Sequence, residues 1–198
     1  HEKSLATFGV QFDGGFGTTH TPENEKHAGL IFDAAKSEDH IFVKEVEQLF
    51  DPEACRFLSD RMVKGTCPKC KSEDQYGDQC ESCGTTYNPT DLIEAKSAVS
   101  GATPVLKKSN HYFFKLSDYQ DRLEAWTRKE GAVQKDVQHY LNRWFEDGLR
   151  EWDISRDGPY FGFKIPGEDD KYFYVWLDAP IGYIALAERA AKATGRSW

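Results

Sequence analysis

The sequence lacks the features that would place this chain in a membrane or on a nucleic acid. Among its 198 residues there is no apolar run of the roughly eighteen residues that a membrane-spanning helix needs. Its first residues, His1–Ser4, do not supply the apolar core of a signal peptide. Acidic residues outnumber basic ones by 33 to 25, and a surface of net charge −8 repels phosphate backbones. We therefore expect a cytoplasmic protein that crosses no membrane and, by itself, does not bind nucleic acid.

Internal repeats and low-complexity linkers are also missing. With 39% apolar and 14% aromatic residues, the chain can build a real hydrophobic core. Its length suits one domain, or one domain that carries an insertion.

Cysteine is scarce, but four of the five cysteines stand together. Cys67 and Cys70 form one C-x-x-C pair, and Cys80 and Cys83 form a second pair after nine intervening residues. Two such pairs supply four thiolates, which is the tetrahedral shell that zinc prefers. Because four protein ligands close that shell, we expect a structural zinc ion that does not activate water.

Three alternatives to zinc remain open at this point. The cysteines could form a redox dithiol, two disulfides, or an iron site with the same ligands. Cys55 stands apart from the cluster and is expected to be a free thiol, because a closed shell has no vacancy for a fifth ligand.

The first half of the chain reads as a helix followed by strands. A glycine-rich stretch, Asp13–Gly17, precedes Thr21 and Pro22, which predict the start of a helix that runs to about Lys36. A strand is expected over residues 41–50, followed by a turn at Asp51–Glu53 and a returning hairpin arm at Arg56–Leu58. Residues 91–116 read as short strands and turns.

The second half predicts two helices and a strand. Ser117 with Gln120 fits a capping box, and the helices would span residues 117–148. Gly148 can end the second helix, and its tryptophan and tyrosine residues are expected in the core. The aromatic run at 171–177 predicts a strand, with a loop at 178–180 and a helix from Gly182. The apolar stripe of the second helix consists of Val133, Val137, Tyr140, Leu141, Trp144 and Phe145.

Several segments resemble bacterial methionyl-tRNA synthetases, and they occur in the same order. The matching segments are Asp51-Pro52-Glu53, Asp60-Arg61, Val63–Cys70, Ser100–Pro104, Trp152–Asp157, Pro159–Phe163 and Tyr172–Tyr183. The resemblance covers essentially the whole chain and is strongest from residue 51 to residue 183.

The resemblance implies an α/β fold of a class I aminoacyl-tRNA synthetase, with a partial Rossmann-type catalytic domain. Residues 1–40 would end its first half and residues 153–198 would start its second half. Between them, residues 41–152 would form a mixed α/β connective insertion with the zinc knuckle at about 64–90 and helices at about 117–148. Neither an H-I-G-H nor a K-M-S-K-S sequence occurs here, so the resemblance implies a fragment that is inactive alone.

The resemblance also assigns functional residues. Arg156 would stabilise charge as methionine attacks ATP, and the methionine pocket would include Trp176, Ala179, Pro180 and Tyr183. The parent enzyme would use methionine, ATP with Mg²⁺, and tRNA(Met). Without the resemblance, Arg156 would be a loop arginine paired with Asp153 or Asp157. The alternatives for the whole chain are a freestanding zinc-knuckle interaction module and a zinc ribbon that binds nucleic acid.

Overall fold

The computed structural model describes residues 1–12 and 17–197. The predicted glycine-rich stretch therefore lies outside the described residues, except for Gly17. The chain forms two compact units. The first unit comprises His1–Phe42, Phe114–Ile154 and Phe161–Trp198, and the second comprises Val43–Phe113 and Ser155–Tyr160. The division of the chain at residues 41 and 152 stays a prediction.

The described residues include five α-helices and nine β-strands. The helices are α1 Glu2–Thr7, α2 Pro22–Ser37, α3 Gln120–Thr127, α4 Lys135–Asp147 and α5 Val175–Thr194. The strands are β1 Ile41–Asp51, β2 Arg56–Phe57, β3 Val63–Thr66, β4 Gln75–Tyr76, β5 Ile93–Ser97, β6 Val105–Phe114, β7 Trp152–Asp153, β8 Ser155–Asp157 and β9 Lys171–Phe173. No helix in the described part of the chain is both long and apolar enough to cross a bilayer.

Helix α2 begins where the sequence predicts. The Thr21 side chain accepts a hydrogen bond from the backbone N–H of Asn24 at 3.3 Å, and Pro22 occupies the first turn. The side chains of Ala28 and Phe32 on α2 are buried. The Phe32 ring packs edge-on against the Phe173 ring, with 5.4 Å between the ring centroids. Helix α2 thus contributes two buried side chains to the core of the first unit.

The second unit is built from antiparallel strand pairs. Strand β1 lies between β2 and β6 in one sheet, and β3 lies between β4 and β5 in another. The predicted hairpin is confirmed, since Phe50 pairs with Phe57 across β1 and β2. A small core packs between these strands and consists of Leu49, Leu58, Val63 and Leu92.

Asp51 fixes the turn after β1. Its buried carboxylate accepts hydrogen bonds from the backbone N–H groups of Glu53 and Ala54 and from the Ser100 hydroxyl. Hydrogen bonds, first of all from Ser97, lower the pKa of the Asp51 carboxyl to about 2. The predicted turn is therefore held by a charged side chain beneath it.

The predicted strand at 171–177 is wrong beyond Phe173. Residue 175 already starts α5, which includes the predicted loop at 178–180 and continues to Thr194. Aromatic and β-branched residues favour strands, but packing of one face of α5 against α2 decides the structure here. Pro180, which suggested a loop, lies inside the helix.

The predicted capping box at Ser117 and Gln120 is also wrong. Helix α3 begins at Gln120, and Ser117 belongs to a preceding 3-10 turn. The Gln120 side chain instead donates to the carbonyl of Phe145 at 3.2 Å and accepts from the N–H of Leu149 at 2.7 Å. Gln120 therefore holds the end of α4, which Gly148 closes with a positive φ as predicted.

The tryptophan and tyrosine residues on α3 and α4 are not core, contrary to the prediction. Tyr140 is 58% exposed and Trp144 is 51% exposed, whereas Phe145 is buried. The ring centroids of Tyr140 and Trp144 lie 5.4 Å apart, and the ring planes are tilted by 59°. Helical periodicity shows that a face is apolar, but it does not show that the same chain covers that face.

Candidate functional site

The two cysteine pairs converge on one point in the second unit. The four sulfur atoms all lie within 4.8 Å of one another. Cys67 Sγ is 4.0 Å from Cys83 Sγ, and Cys70 Sγ is 3.5 Å from Cys80 Sγ. A disulfide would need about 2 Å, and all five cysteines are free, including exposed Cys55. Sulfurs on a tetrahedral zinc ion are separated by about 3.8 Å, so the cluster suits zinc.

Both cysteine pairs lie on turns of the same construction. At the first turn, the Cys67 N–H donates to the Ser72 carbonyl at 2.9 Å, and the Lys71 N–H donates to the Cys67 carbonyl at 3.1 Å. In each pair the N–H of the second cysteine also points at the sulfur of the first. The distances are 3.5 Å from Cys70 N to Cys67 Sγ and 3.4 Å from Cys83 N to Cys80 Sγ. Such N–H donors stabilise a thiolate.

The second turn repeats the first. The Cys80 N–H donates to the Thr85 carbonyl at 2.9 Å, and the Gly84 N–H donates to the Cys80 carbonyl at 2.9 Å. The residues that flank this turn, Gln79 and Thr86, pair in an antiparallel β-bridge. The backbone therefore presents the two cysteine pairs to each other from two equivalent loops.

The four thiols differ in their surroundings. Cys67 and Cys80 are buried, whereas Cys70 and Cys83 are exposed. Hydrogen bonds from Ser72 lower the pKa of Cys70 to about 6, and burial raises the pKa of Cys80 to about 11. A dication between the sulfurs would offset the burial penalty on the Cys80 thiolate. The donor set thus fits a divalent, thiophilic metal.

Lys71 and Gly84 occupy equivalent positions in the two turns and give a test of this geometry. Both have positive φ, 63° at Lys71 and 71° at Gly84, and a Cβ at Gly84 would meet no atom within 4 Å. Gly84→Ala should therefore cost about 1 kcal/mol through backbone strain alone, whereas Lys71→Gly should stabilise the site by about 0.5–1 kcal/mol. In a chelator competition, apparent zinc affinity should fall several-fold for the first variant and rise for the second. Affinities that move in the same direction would contradict the equivalence of the turns.

The four predicted pocket residues share one face of α5. Three or four positions separate Trp176 from Ala179 and Pro180, and the same intervals separate these two from Tyr183, which aligns the four side chains along a helix. Trp176 is 64% exposed and Tyr183 is 81% exposed. The opposite face is packed and consists of Asp178, Ile181, Gly182, Ala185 and Glu188. The structure therefore brings the predicted residues together on one surface of the first unit.

Arg156 belongs to the second unit and is half-buried. Its Nη1 donates to the backbone carbonyl of Ser155 at 2.5 Å. The neighbouring Asp157 carboxylate accepts from the Ser109 hydroxyl at 2.9 Å and lies 3.0 Å from Nε2 of buried His111. Asp157 therefore has structural partners of its own, and the functional role of Arg156 stays a prediction.

The first unit contains a buried carboxylate that the sequence patterns did not single out. The carboxylate of Glu188 on α5 has three basic partners. Its oxygen atoms lie 2.7 Å from Nζ of Lys192, 2.5 Å from Nε2 of His27 and 3.7 Å from Nζ of Lys26. The bond from Lys192 and the bond from His27 lower the pKa of the Glu188 carboxyl to about 2. The spacing of Glu188 and Lys192 could have indicated their pairing, whereas the two α2 partners depend on tertiary structure.

His20 is a further residue that sequence reasoning missed. Its ring stacks on Phe163 at 4.5 Å between centroids and on Phe161 at 4.7 Å. It lies two positions before the first residue of α2, next to Thr21, which the sequence identifies only as a helix cap. No periodic sequence pattern predicts this ring stack, because His20 is about 140 residues away from Phe161 and Phe163 in the sequence.

This geometry, a four-cysteine centre in one unit and an aromatic face on α5 in the other, can be compared with known proteins. A family model described as "tRNA synthetases class I (M)" matches residues 1–198. The chain therefore belongs to the class I tRNA synthetases.

Solved structures of methionyl-tRNA synthetase from Mycobacterium tuberculosis have a similar fold. The enzyme bound by methionyl-adenylate is 18% identical over 92% of this chain and 32% of its own, with a TM-score of 0.58. The apo form is 17% identical over 91% of this chain and 32% of its own, with a TM-score of 0.55. The chain thus spans about a third of the length of these enzymes, and the matches confirm the predicted fold class.

Proposed function

We propose that the chain is part of a methionine–tRNA ligase, which joins methionine to ATP and passes the methionyl group to tRNA(Met). Residues 41–152 would form the connective insertion, with catalytic segments at 1–40 and 153–198. The family match over the entire chain carries this proposal. A freestanding zinc-knuckle module would need neither the α5 face nor the segment around Arg156.

The metal in this proposal is one zinc ion on Cys67, Cys70, Cys80 and Cys83. When bound, zinc would supply a closed tetrahedral shell and no water for chemistry. The chain's own contribution is the pair of turns that aim four sulfurs at one point. The role of the centre is therefore to fold residues 64–90, whose few apolar residues could not do so unaided.

The α5 face would provide one wall of the methionine site. A thioether is polarisable and gains from contact with aromatic rings, which Trp176 and Tyr183 offer on this face. Tyr183 could also present its hydroxyl to the sulfur atom. Packing alone rejects shorter side chains only modestly, so methionine selectivity would need further walls from elsewhere in the enzyme.

Pyrophosphate exchange into ATP tests the proposal. The product of the complete reading frame should exchange pyrophosphate with methionine far faster than with leucine or isoleucine. The 198-residue chain alone should show only background exchange, because the phosphate-binding H-I-G-H and K-M-S-K-S sequences are absent from it. A complete protein that prefers another amino acid would contradict the proposed specificity, and exchange by the chain alone would contradict its inactivity.

A further inference from the structure

We infer that Asn24 is a positioning residue for the methionine pocket, because its side-chain amide holds the backbone of α5 at the level of the pocket residues. This inference deepens the proposed function and depends on it. Asn24 lies in the first turn of α2, is completely buried, and belongs to the first unit together with all of α5.

The Asn24 amide makes two hydrogen bonds that join separate segments. Its Nδ2 donates to the backbone carbonyl of Thr19 at 2.9 Å and to the backbone carbonyl of Asp178 at 3.1 Å. Its Oδ1 makes no hydrogen bond to any described residue. The side chain therefore donates two hydrogen bonds. One of them is accepted by Asp178, the residue directly before Ala179 of the proposed pocket.

Helix α5 needs support at this level. Pro180 has no N–H, so it cannot donate to the carbonyl of Trp176 four residues earlier. The backbone hydrogen-bond ladder of the helix therefore has a gap between two residues of the proposed pocket. The bond from Asn24 to the Asp178 carbonyl supplies an external contact in the same turn.

The surrounding packing is tight enough to transmit a displacement. A Cβ added at Gly182 would lie only 2.7 Å from Cγ2 of Thr19, so α5 passes directly against the segment that Asn24 also holds. Asp178 itself is buried, and its Oδ1 has no partner among the described residues. Because buried polar groups tolerate a lost partner poorly, removal of the Asn24 donors should shift this turn rather than leave it in place.

The pocket residues lie on the face opposite to Asn24, so they need not touch it to depend on it. Trp176, Ala179, Pro180 and Tyr183 follow the α5 backbone rigidly, and small displacements of a substrate-positioning group reduce binding and rate strongly. Asn24 would therefore act on methionine through the helix, without contact to substrate.

Two substitutions separate this role from a general contribution to folding. Asn24→Asp keeps the shape of the side chain but replaces both N–H donors by acceptors facing two carbonyl oxygens. Thr21→Ala is the matched control, because it removes the α2 cap on the Asn24 N–H and leaves the amide side chain intact. Both variants should melt at a lower temperature than the parent chain.

Hydrogen exchange on the 198-residue chain gives the first readout. Asn24→Asp should accelerate exchange at residues 179 and 181–183 by about tenfold or more, whereas Thr21→Ala should accelerate it mainly in the first turn of α2. In the complete enzyme, Asn24→Asp should raise KM for methionine by about tenfold and leave KM for ATP within about twofold.

The outcomes are distinguishable. Faster exchange at α5 with unchanged KM for methionine in an active enzyme would overturn the positioning role and leave the proposed function standing. Equal effects of both variants on α5 exchange would overturn the link through the Asp178 carbonyl. A complete wild-type enzyme that does not activate methionine would overturn the proposed function, and the pocket role of Asn24 with it.

Discussion

Replacing Cys80 by alanine should release zinc from the four-cysteine centre and unfold residues 64–90. Cys80 is buried, and its Sγ lies 3.5 Å from Sγ of Cys70. No other described cysteine can replace it as a ligand unless the turn at residues 80–85 is rebuilt. Structural zinc contributes on the order of 10–16 kcal/mol of apparent binding free energy in small zinc-finger peptides. Loss of one of four ligands should remove enough of this to leave the loops without a stable fold.

Zinc content and hydrogen exchange measure this effect together. The parent chain, purified without added metal, should contain one equivalent of zinc, and Cys80→Ala should contain less than half. Exchange should rise to the unprotected rate over 64–90, while α3 and α4 keep their protection in the first unit. Cys55→Ala is the matched control, because Cys55 is exposed and outside the cluster, and it should retain a full equivalent. Global loss of protection would show that the two units are not independent.

The metal centre was the part of the site most accessible from the sequence. Two cysteines in a C-x-x-C pair lie close enough in sequence for a local turn to bring their sulfur atoms together. The spacing of Cys67, Cys70, Cys80 and Cys83 therefore predicts a four-sulfur site without knowledge of the rest of the fold. The start of α2 was equally local, because Thr21 and Pro22 act on neighbouring backbone groups. Features whose cause lies within a few residues could be predicted.

The helix predicted from Gly182 is confirmed, but its first two turns could not be predicted, because their cause is tertiary. The run at 171–177 has the composition of a strand, and a proline at position 180 usually interrupts a helix. The segment is nevertheless helical, because a helix places Ile181 and Ala185 on the buried face of α5, and α5 packs against α2. The same limit applies to Asn24, whose bond to the Asp178 carbonyl spans 154 residues. A single sequence does not specify such partners.

The stripe on α4 shows the opposite error. Its periodicity predicted a helix correctly, but Trp144 and Tyr140 lie largely at the surface of the described chain. Burial depends on what covers a face, and the apolar pattern alone does not contain that information.

Replacing Arg156 by alanine in the complete enzyme should lower the rate constant of methionyl-adenylate formation by roughly two orders of magnitude or more. We propose that its guanidinium stabilises negative charge that develops as the methionine carboxylate attacks the α-phosphate. Loss of one charge-stabilising donor typically has an effect of this size. If Arg156 acts mainly on the substrate, folding should change little, by about 1 kcal/mol or less.

Two further variants sharpen the test. Arg156→Lys keeps the charge but not the planar, bidentate donor geometry, so its rate constant should fall between those of the parent and Arg156→Ala. Arg150→Ala removes an exposed arginine six residues earlier and should leave both stability and rate unchanged. If Arg156 were instead a structural partner of Asp153 or Asp157, its loss would remove a charged partner from that carboxylate and cost about 3–5 kcal/mol. Stability would then fall strongly while the remaining folded enzyme turned over normally, and that pattern would contradict the catalytic role.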